Sequence, residues 1–169
     1  MKLKRLLFLI VIGVIGAYVF RTFAFEGIYL ATDSMAPTLP KGTHVFVNKF
    51  AQYFQAVKRG DVVMFEIPQK PAKGLVKRVI AVSGDTIEIR EKIVYLNGHR
   101  KTESYVQYLR ADERLMGDDL PETVVPTGYV FVMGDNRDVS NDSRDWKDEK
   151  GNLTPFLPLS DIQGIILRP

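Results

Sequence analysis

Cysteine is absent from the chain, which excludes disulfides, thiol nucleophiles and cysteine-held metals. Histidine occurs only twice in 169 residues. His44 opens an apolar run and His99 follows the turn signal Asn97-Gly98, so a Ser-His-Asp arrangement has few ways to form. Charge of one sign is also scarce. The 23 Lys and Arg exceed the 20 Asp and Glu by three, and Lys2, Lys4 and Arg5 already lie at the very start. The remainder is nearly balanced, without the basic face or stripe that nucleic acid requires. Internal repeats and low-complexity segments are lacking as well, and after the first 25 residues helical periodicity is rare.

One long apolar run is present. Leu6 to Phe20 carries no charge and is bracketed by Lys4 and Arg5 before it and Arg21 after it. If Arg21 snorkels, the run reaches Phe25, about twenty residues or roughly 30 Å of helix, enough for a bilayer core. A cleaved secretory leader is the competing reading. Its small-residue cleavage site should follow the apolar run, whereas Gly13, Gly16 and Ala17 lie inside it. The expectation is an uncleaved membrane anchor with a basic cytoplasmic tip over residues 1–25, and one extracytoplasmic domain over residues 26–169.

Within that domain the runs are short and rich in β-branched and aromatic residues. Gly27–Ala31, His44–Val47, Val62–Ile67, Leu75–Val82, Tyr129–Met133 and Ile162–Leu167 read as strands. Thr86–Arg90 and Lys92–Leu96 read as the arms of a hairpin, with Asn97-Gly98 as the next turn. Lys70–Gly74 reads as a loop, and His99–Gly128 as a polar excursion of loop and short strands. Phe50, Tyr53, Phe54 and Val57 have helical spacing and suggest one or two turns packed on the core or dipping into a membrane interface. The expected fold class is therefore mainly β: an N-terminal transmembrane helix followed by an antiparallel β-sheet domain.

Two residues stand out chemically. Ser34, in Asp33-Ser34-Met35-Ala36-Pro37-Thr38, is a hydroxyl in a turn, where serine is ordinary unless a base lies near it. Lys77 shares a strand face with Leu75, Val79 and Ala81 while Arg78 points the other way with Val76 and Ile80. Burial among such neighbours would lower the lysine pKa toward that of a general base, whereas a place at the sheet rim would leave its head in water. In and just beyond the acidic stretch Asp135–Asp145, the residues Asp138, Ser140, Asp142 and Glu149 fall at positions 1, 3, 5 and 12 of a calcium loop. The stretch has Ser143 where that loop needs glycine, and Arg137 and Arg144 are interleaved. A rigid ion-paired loop that places a hydroxyl such as Ser140 suits this composition better.

Taken together, Ser34-Met35-Ala36-Pro37-Thr38-Leu39, Arg59-Gly60-Asp61-Val62-Val63, Val76-Lys77-Arg78-Val79-Ile80 ahead of Gly84-Asp85, and Gly134-Asp135-Asn136-Arg137-Asp138 through Ser140, Asp142, Ser143 and Arg144 resemble the ordered motifs of the type I signal peptidases. The resemblance spans about Ile28 to Trp146. It implies a membrane-bound serine endopeptidase with a Ser/Lys dyad, acting on the signal peptides of exported preproteins at the outer face of the cell membrane, without metal or cofactor. By position it implies Ser34 as nucleophile and Lys77 as base. The Ser34 N–H and the Thr32 hydroxyl would form the oxyanion hole, with Ser140 orienting Lys77. Asp142 with Arg144 and Asp135 with Arg78 would be ion pairs, and Leu30, Ala31 and Val76 would shape pockets for small side chains at −1 and −3. The partners implied are preprotein signal peptides and the lipid bilayer.

There are departures from the family pattern. Asp33 stands where glycine is usual, and Ala31 and Ser83 stand where proline is frequent. A specialised processing peptidase of the same family, a cytoplasmic self-cleaving Ser/Lys repressor and a non-catalytic signal-peptide-binding module are the competing readings. The apolar N-terminus and the missing DNA-binding domain weigh against the repressor.

Overall fold

The computed structural model of the chain describes residues 2–51, 56–67 and 70–167, with backbone alone at residues 2, 19–23, 67 and 70–73. The N-terminal run forms one helix, α1 (Lys2–Ala24), and every side chain described from Leu3 to Tyr18 is exposed. Among the described residues no helix is long and apolar enough to cross a membrane. The anchor expected over residues 1–25 is corrected to that extent. The described uncharged run Leu6–Tyr18 covers only about 20 Å at 1.5 Å per residue, short of a bilayer core near 30 Å. The residues needed to lengthen it, 19–23, lie outside the described side chains. α1 gives way to strand at Phe25, where Ala24 is buried and its carbonyl accepts the Lys49 N–H at 3.0 Å.

The rest is mainly antiparallel β. In order come β1 (Phe25–Tyr29), β2 (His44–Asn48), β3 (Val62–Ile67), β4 (Lys70–Val82), β5 (Thr86–Arg90), β6 (Ile93–Leu96), β7 (His99–Arg100), β8 (Leu120–Val124), β9 (Tyr129–Met133), β10 (Leu157–Pro158) and β11 (Ile162–Ile166). A seven-stranded sheet has the order β1-β2-β11-β3-β4-β9-β10, and a four-stranded sheet the order β7-β6-β5-β8. The alternation that makes a half-buried strand is plain in β2, where Val45 and Val47 are buried and His44 and Phe46 exposed. β3, by contrast, is buried at four successive residues, Val62 to Phe65.

Lys70–Gly74 belongs to β4 rather than to a loop: Ile67 pairs with Lys70 beyond a register shift after Phe65, so the shift lets the hairpin extend. β4 pairs with β3 along most of its length, but with β9 only from Arg78 onward, so among the described residues Leu75–Lys77 keep one edge without a strand. A second shift, between Val79 and Ala81, turns Ile80 into the core between the sheets while Val79 packs with Val63, Phe65 and Val132. The β5–β6 hairpin closes on Glu91-Lys92 with φ of 47° and 69°, the left-handed pair that a tight hairpin needs, and Asn97-Gly98 repeats it at 52° and 77°. In the expected helical turn near residue 53, Tyr53 and Phe54 lie outside the described residues.

Candidate active site

The turn after β1 is pinned from below. Met35 and Leu39 are buried in the cluster that includes Leu30, Val45, Met64 and Val76, and they pair across the turn as an isolated bridge. Asp33, the departure flagged in the sequence, points along the turn: its Oδ1 accepts the Lys41 N–H at 3.1 Å, and its carbonyl accepts the Ala36 N–H. The carboxylate thus serves as a turn cap. Ser34 remains at the lip of the turn with its carbonyl held by the Asn136 N–H at 3.1 Å.

β4 carries Lys77 to this lip. Its Nζ lies 2.8 Å from Ser34 Oγ, and Thr32 Oγ1 stands 3.2 Å from the same oxygen. Lys77 is only 3 % exposed, so the rim reading with a hydrated head does not hold. Burial pushes its amine down to about 8, because desolvation disfavours the ammonium more than Asp142 and Asp135 favour it, and Arg144 adds to the fall.

Two buried ion pairs support the pair. Arg78, on the opposite face of β4, reaches Asp135 through Nε at 2.8 Å and Nη2 at 2.7 Å, and Thr38 Oγ1 donates to the same carboxylate at 2.5 Å. Arg144 holds Asp142 through Nε at 2.8 Å and Nη2 at 3.0 Å, while the Gly134 N–H donates to Asp142 at 2.9 Å. Burial alone would raise the Asp142 carboxyl, yet Arg144 and the Gly134 N–H hold it below the usual carboxylate range. Ser140 is buried in the same loop, but among the described residues no hydrogen bond joins its hydroxyl to Lys77.

Asp135→Asn should leave the Arg78 guanidinium without a full counter-charge in the interior. Breaking a buried pair from one side costs about 3–5 kcal/mol, so urea midpoints should fall well below wild type. An unchanged midpoint would show that the pair contributes nothing net.

Sequence reading missed the support that reaches this loop from the polar excursion. Gln107 donates to the Asp135 carbonyl at 2.9 Å and accepts from the Arg137 N–H at 3.0 Å, forming a parallel bridge with Asn136. The Leu109 and Arg110 N–H groups both donate to Asp138 at 2.6 Å. Tyr105 lies 4.2 Å from the Arg78 guanidinium, and Glu103 pairs with Arg137 at 2.8 Å. Residues 103–110 therefore form a strap over the last motif. Its polar, aperiodic sequence offered no signal beyond solvation; Gly134 and Thr38, inside recognisable motifs, could have been found.

A groove of about 510 Å³ leads away from Ser34 and Lys77, lined by Ile28, Leu30, Ala31, Thr32, Met35 and Met64 with Leu75 and Val76. The expected pocket residues Leu30, Ala31 and Val76 all face it. Neither histidine joins the site by a hydrogen bond: His44 lies against Tyr29, ring centroids 5.2 Å apart, and His99 is exposed in β7. Among the described residues no group of three or more His, Asp or Glu is placed to hold a metal. Asp138 and Asp142, both counted in the calcium-loop reading, are taken up by backbone N–H groups and by Lys92 and Arg144.

A serine hydroxyl against a desolvated amine, at the end of an apolar groove with open strand edges, is equipment for acting on extended peptides. The chain belongs to the type I signal peptidases: the family described as "Signal peptidase, peptidase S26" matches residues 3–167. It is 35% identical over 167 residues to a probable signal peptidase I-1 of Synechocystis sp., covering 92% of this chain and 76% of that one. It is 41% identical over 140 residues to signal peptidase I P of Bacillus subtilis subsp. natto, covering 80% and 75%. A signal peptidase I crystal structure from Enterococcus faecalis aligns at 25% identity with a TM-score of 0.49, covering 67% of this chain and 98% of that one. Family membership makes the chain a serine peptidase of the signal-peptide-processing kind.

Proposed function

We propose that this chain is a membrane-attached endopeptidase that cleaves signal peptides from exported preproteins, with Ser34 as nucleophile and Lys77 as general base. The observation that carries this reading is the 2.8 Å separation of Lys77 Nζ and Ser34 Oγ at a lysine that is almost wholly buried. In its neutral form the amine accepts the Ser34 proton as Oγ attacks the scissile carbonyl carbon. The oxyanion so formed takes hydrogen bonds from the Ser34 N–H and from Thr32, whose hydroxyl already stands beside Oγ. The Lys77 ammonium then protonates the departing amine, leaving an ester on Ser34. Water, deprotonated by the same amine, releases the signal peptide acid and restores the hydroxyl.

Asp142 with Arg144 and Asp135 with Arg78 serve as positioning pairs around this exchange, and Ser140, buried within the loop between Asp135 and Asp142, packs against Gly134. The substrate binds extended, adding its backbone to the open edges of β1 and of Leu75–Lys77, with small side chains at −1 and −3 toward Leu30, Ala31 and Val76. Attachment is through α1. Its large apolar side chains described between Leu3 and Tyr18, among them Leu7, Phe8, Leu9, Ile10 and Ile15, are all more than half exposed, and a lipid surface is the medium that suits them. Lys2, Lys4 and Arg5 then keep the tip cytoplasmic and place residues from Phe25 onward outside the cell membrane.

The test is cleavage, in detergent, of a preprotein with Ala at −1 and −3. Wild type should cut once after the −1 residue, and Ser34→Ala should cut at least 10³-fold more slowly while keeping the wild-type melting curve. Intact substrate with wild type, or cutting that survives Ser34→Ala, would overturn the reading.

A further inference from the structure

The groove that starts at Ser34 does not end at the small-residue pockets. A second cavity of about 670 Å³, lined by Leu159, Ser160 and Ile162 among others, shares Glu26, Glu66 and Gln163 with the first. The two form one trough, and these three residues are its neck. Both carboxylates at the neck have defined surroundings. Glu26, on β1, is paired with Lys49 at 2.5 Å. Glu66, on β3, is exposed and makes no ion pair among the described residues. Among the described residues the neck therefore carries one carboxylate neutralised by Lys49, which lines the same trough, and one without an ion pair, in a channel whose other walls are apolar side chains, Gln163 and the hydroxyls of Ser160 and Thr32.

We propose that Glu66 is a specificity-determining residue, which selects a basic over an acidic side chain in the acyl part of the substrate, about six residues before the scissile bond. The inference rests on the peptidase reading above and extends the same site. The position follows from strand geometry. Thr32 stands at Ser34 Oγ, Glu26 lies six residues upstream along the same wall, and an extended substrate beside that wall advances at about the same 3.3 Å per residue. A side chain there meets Glu66 across the trough. A cation gains an attraction that its own hydration only partly offsets, whereas a carboxylate meets uncompensated like charge. Glu26 contributes little while Lys49 holds it, so Lys49 sets how acidic the neck is.

Two peptide sets separate this inference from the reading beneath it. The first carries Ala at −1 and −3, proline at +1 to block cutting, and Lys, Gln or Glu at −6; its binding to the full-length chain in detergent is followed by fluorescence anisotropy. At low salt the Lys peptide should bind about three- to tenfold more tightly than the Glu peptide, with Gln between. The order should fade toward 0.5 M salt, where screening shortens to a few ångströms. Glu66→Gln should collapse the spread, Glu66→Lys should reverse it, and Lys49→Gln, by freeing Glu26, should widen it. Equal binding of the three peptides to wild type, or a spread untouched in Glu66→Gln, would overturn the proposal. The second set lacks the proline, and its cleavage reports on the peptidase reading independently.

Discussion

Lys77→Met is expected to abolish cleavage and to make the protein more stable. The loss should be at least 10²–10⁴-fold, the usual worth of a positioned general base. The gain in stability has the same origin. An amine whose pKa falls from 10.5 to about 8 on folding resists being charged where it is held. At 1.36 kcal/mol per unit, the native state of the charged lysine is penalised by roughly 3 kcal/mol at pH 7, and a methionine of similar length relieves it.

The sign with pH follows. Below about 8 both states carry the proton and the penalty is whole. Between about 8 and 10.5 the unfolded chain binds the proton and the folded chain does not, so stability rises with pH. Wild type should therefore gain midpoint in urea relative to Lys77→Met as pH is raised from 7 to 10, and its cleavage rate should climb tenfold per unit below pH 8 before levelling. A mutant that still cuts, or a wild-type rate flat between pH 6 and 9, would remove Lys77 from the role of base.

Gly134→Ala should be the most damaging single methyl in the chain. A Cβ built there would land on the Ser34 carbonyl oxygen and on the Ser140 hydroxyl and Cβ. The carbonyl is backbone, already fixed by the Asn136 N–H, and cannot rotate aside. Either the nucleophile turn or the loop bearing Asp135 and Asp142 has to shift. Overpacking of this kind costs about 1–3 kcal/mol, and a displacement near 1 Å at the nucleophile costs on the order of 10² in rate. The rate should fall with KM little changed, since the groove walls are untouched; a wild-type rate would show that the close approach relaxes without moving Ser34.

What could be read in advance was local. The strand patterns of β2, β3 and β9 are written in alternating or unbroken β-branched residues, and the Asn97-Gly98 turn announces itself. Lys77 could be nominated from its apolar neighbours, but whether its head reached water depended on Ser34, 43 residues earlier, closing over it. Turns formed by Glu91-Lys92 carry no signal, since neither residue favours positive φ by its own chemistry. The strap of residues 103–110 looked like solvated surface because most of its hydrogen bonds to the loop use its own backbone, which any sequence can offer, and its charged side chains read as solvated until Arg78 and Arg137 are brought against them. The extension of the groove to Glu66 is likewise invisible, because β1 and β3 meet it only through the sheet order.

That sheet order also governs when the protein can come into being. β11, the strand latest in the chain, lies between β2 and β3 and joins the β1–β2 hairpin to the rest of the large sheet. While the chain is still emerging from the ribosome, the wall of the groove beside Ser34 has no sheet to lean on, and Asn136 has yet to reach the Ser34 carbonyl. Until β11 is in place the wall beside Ser34 lacks its backing, so activity waits on the latest of the described strands.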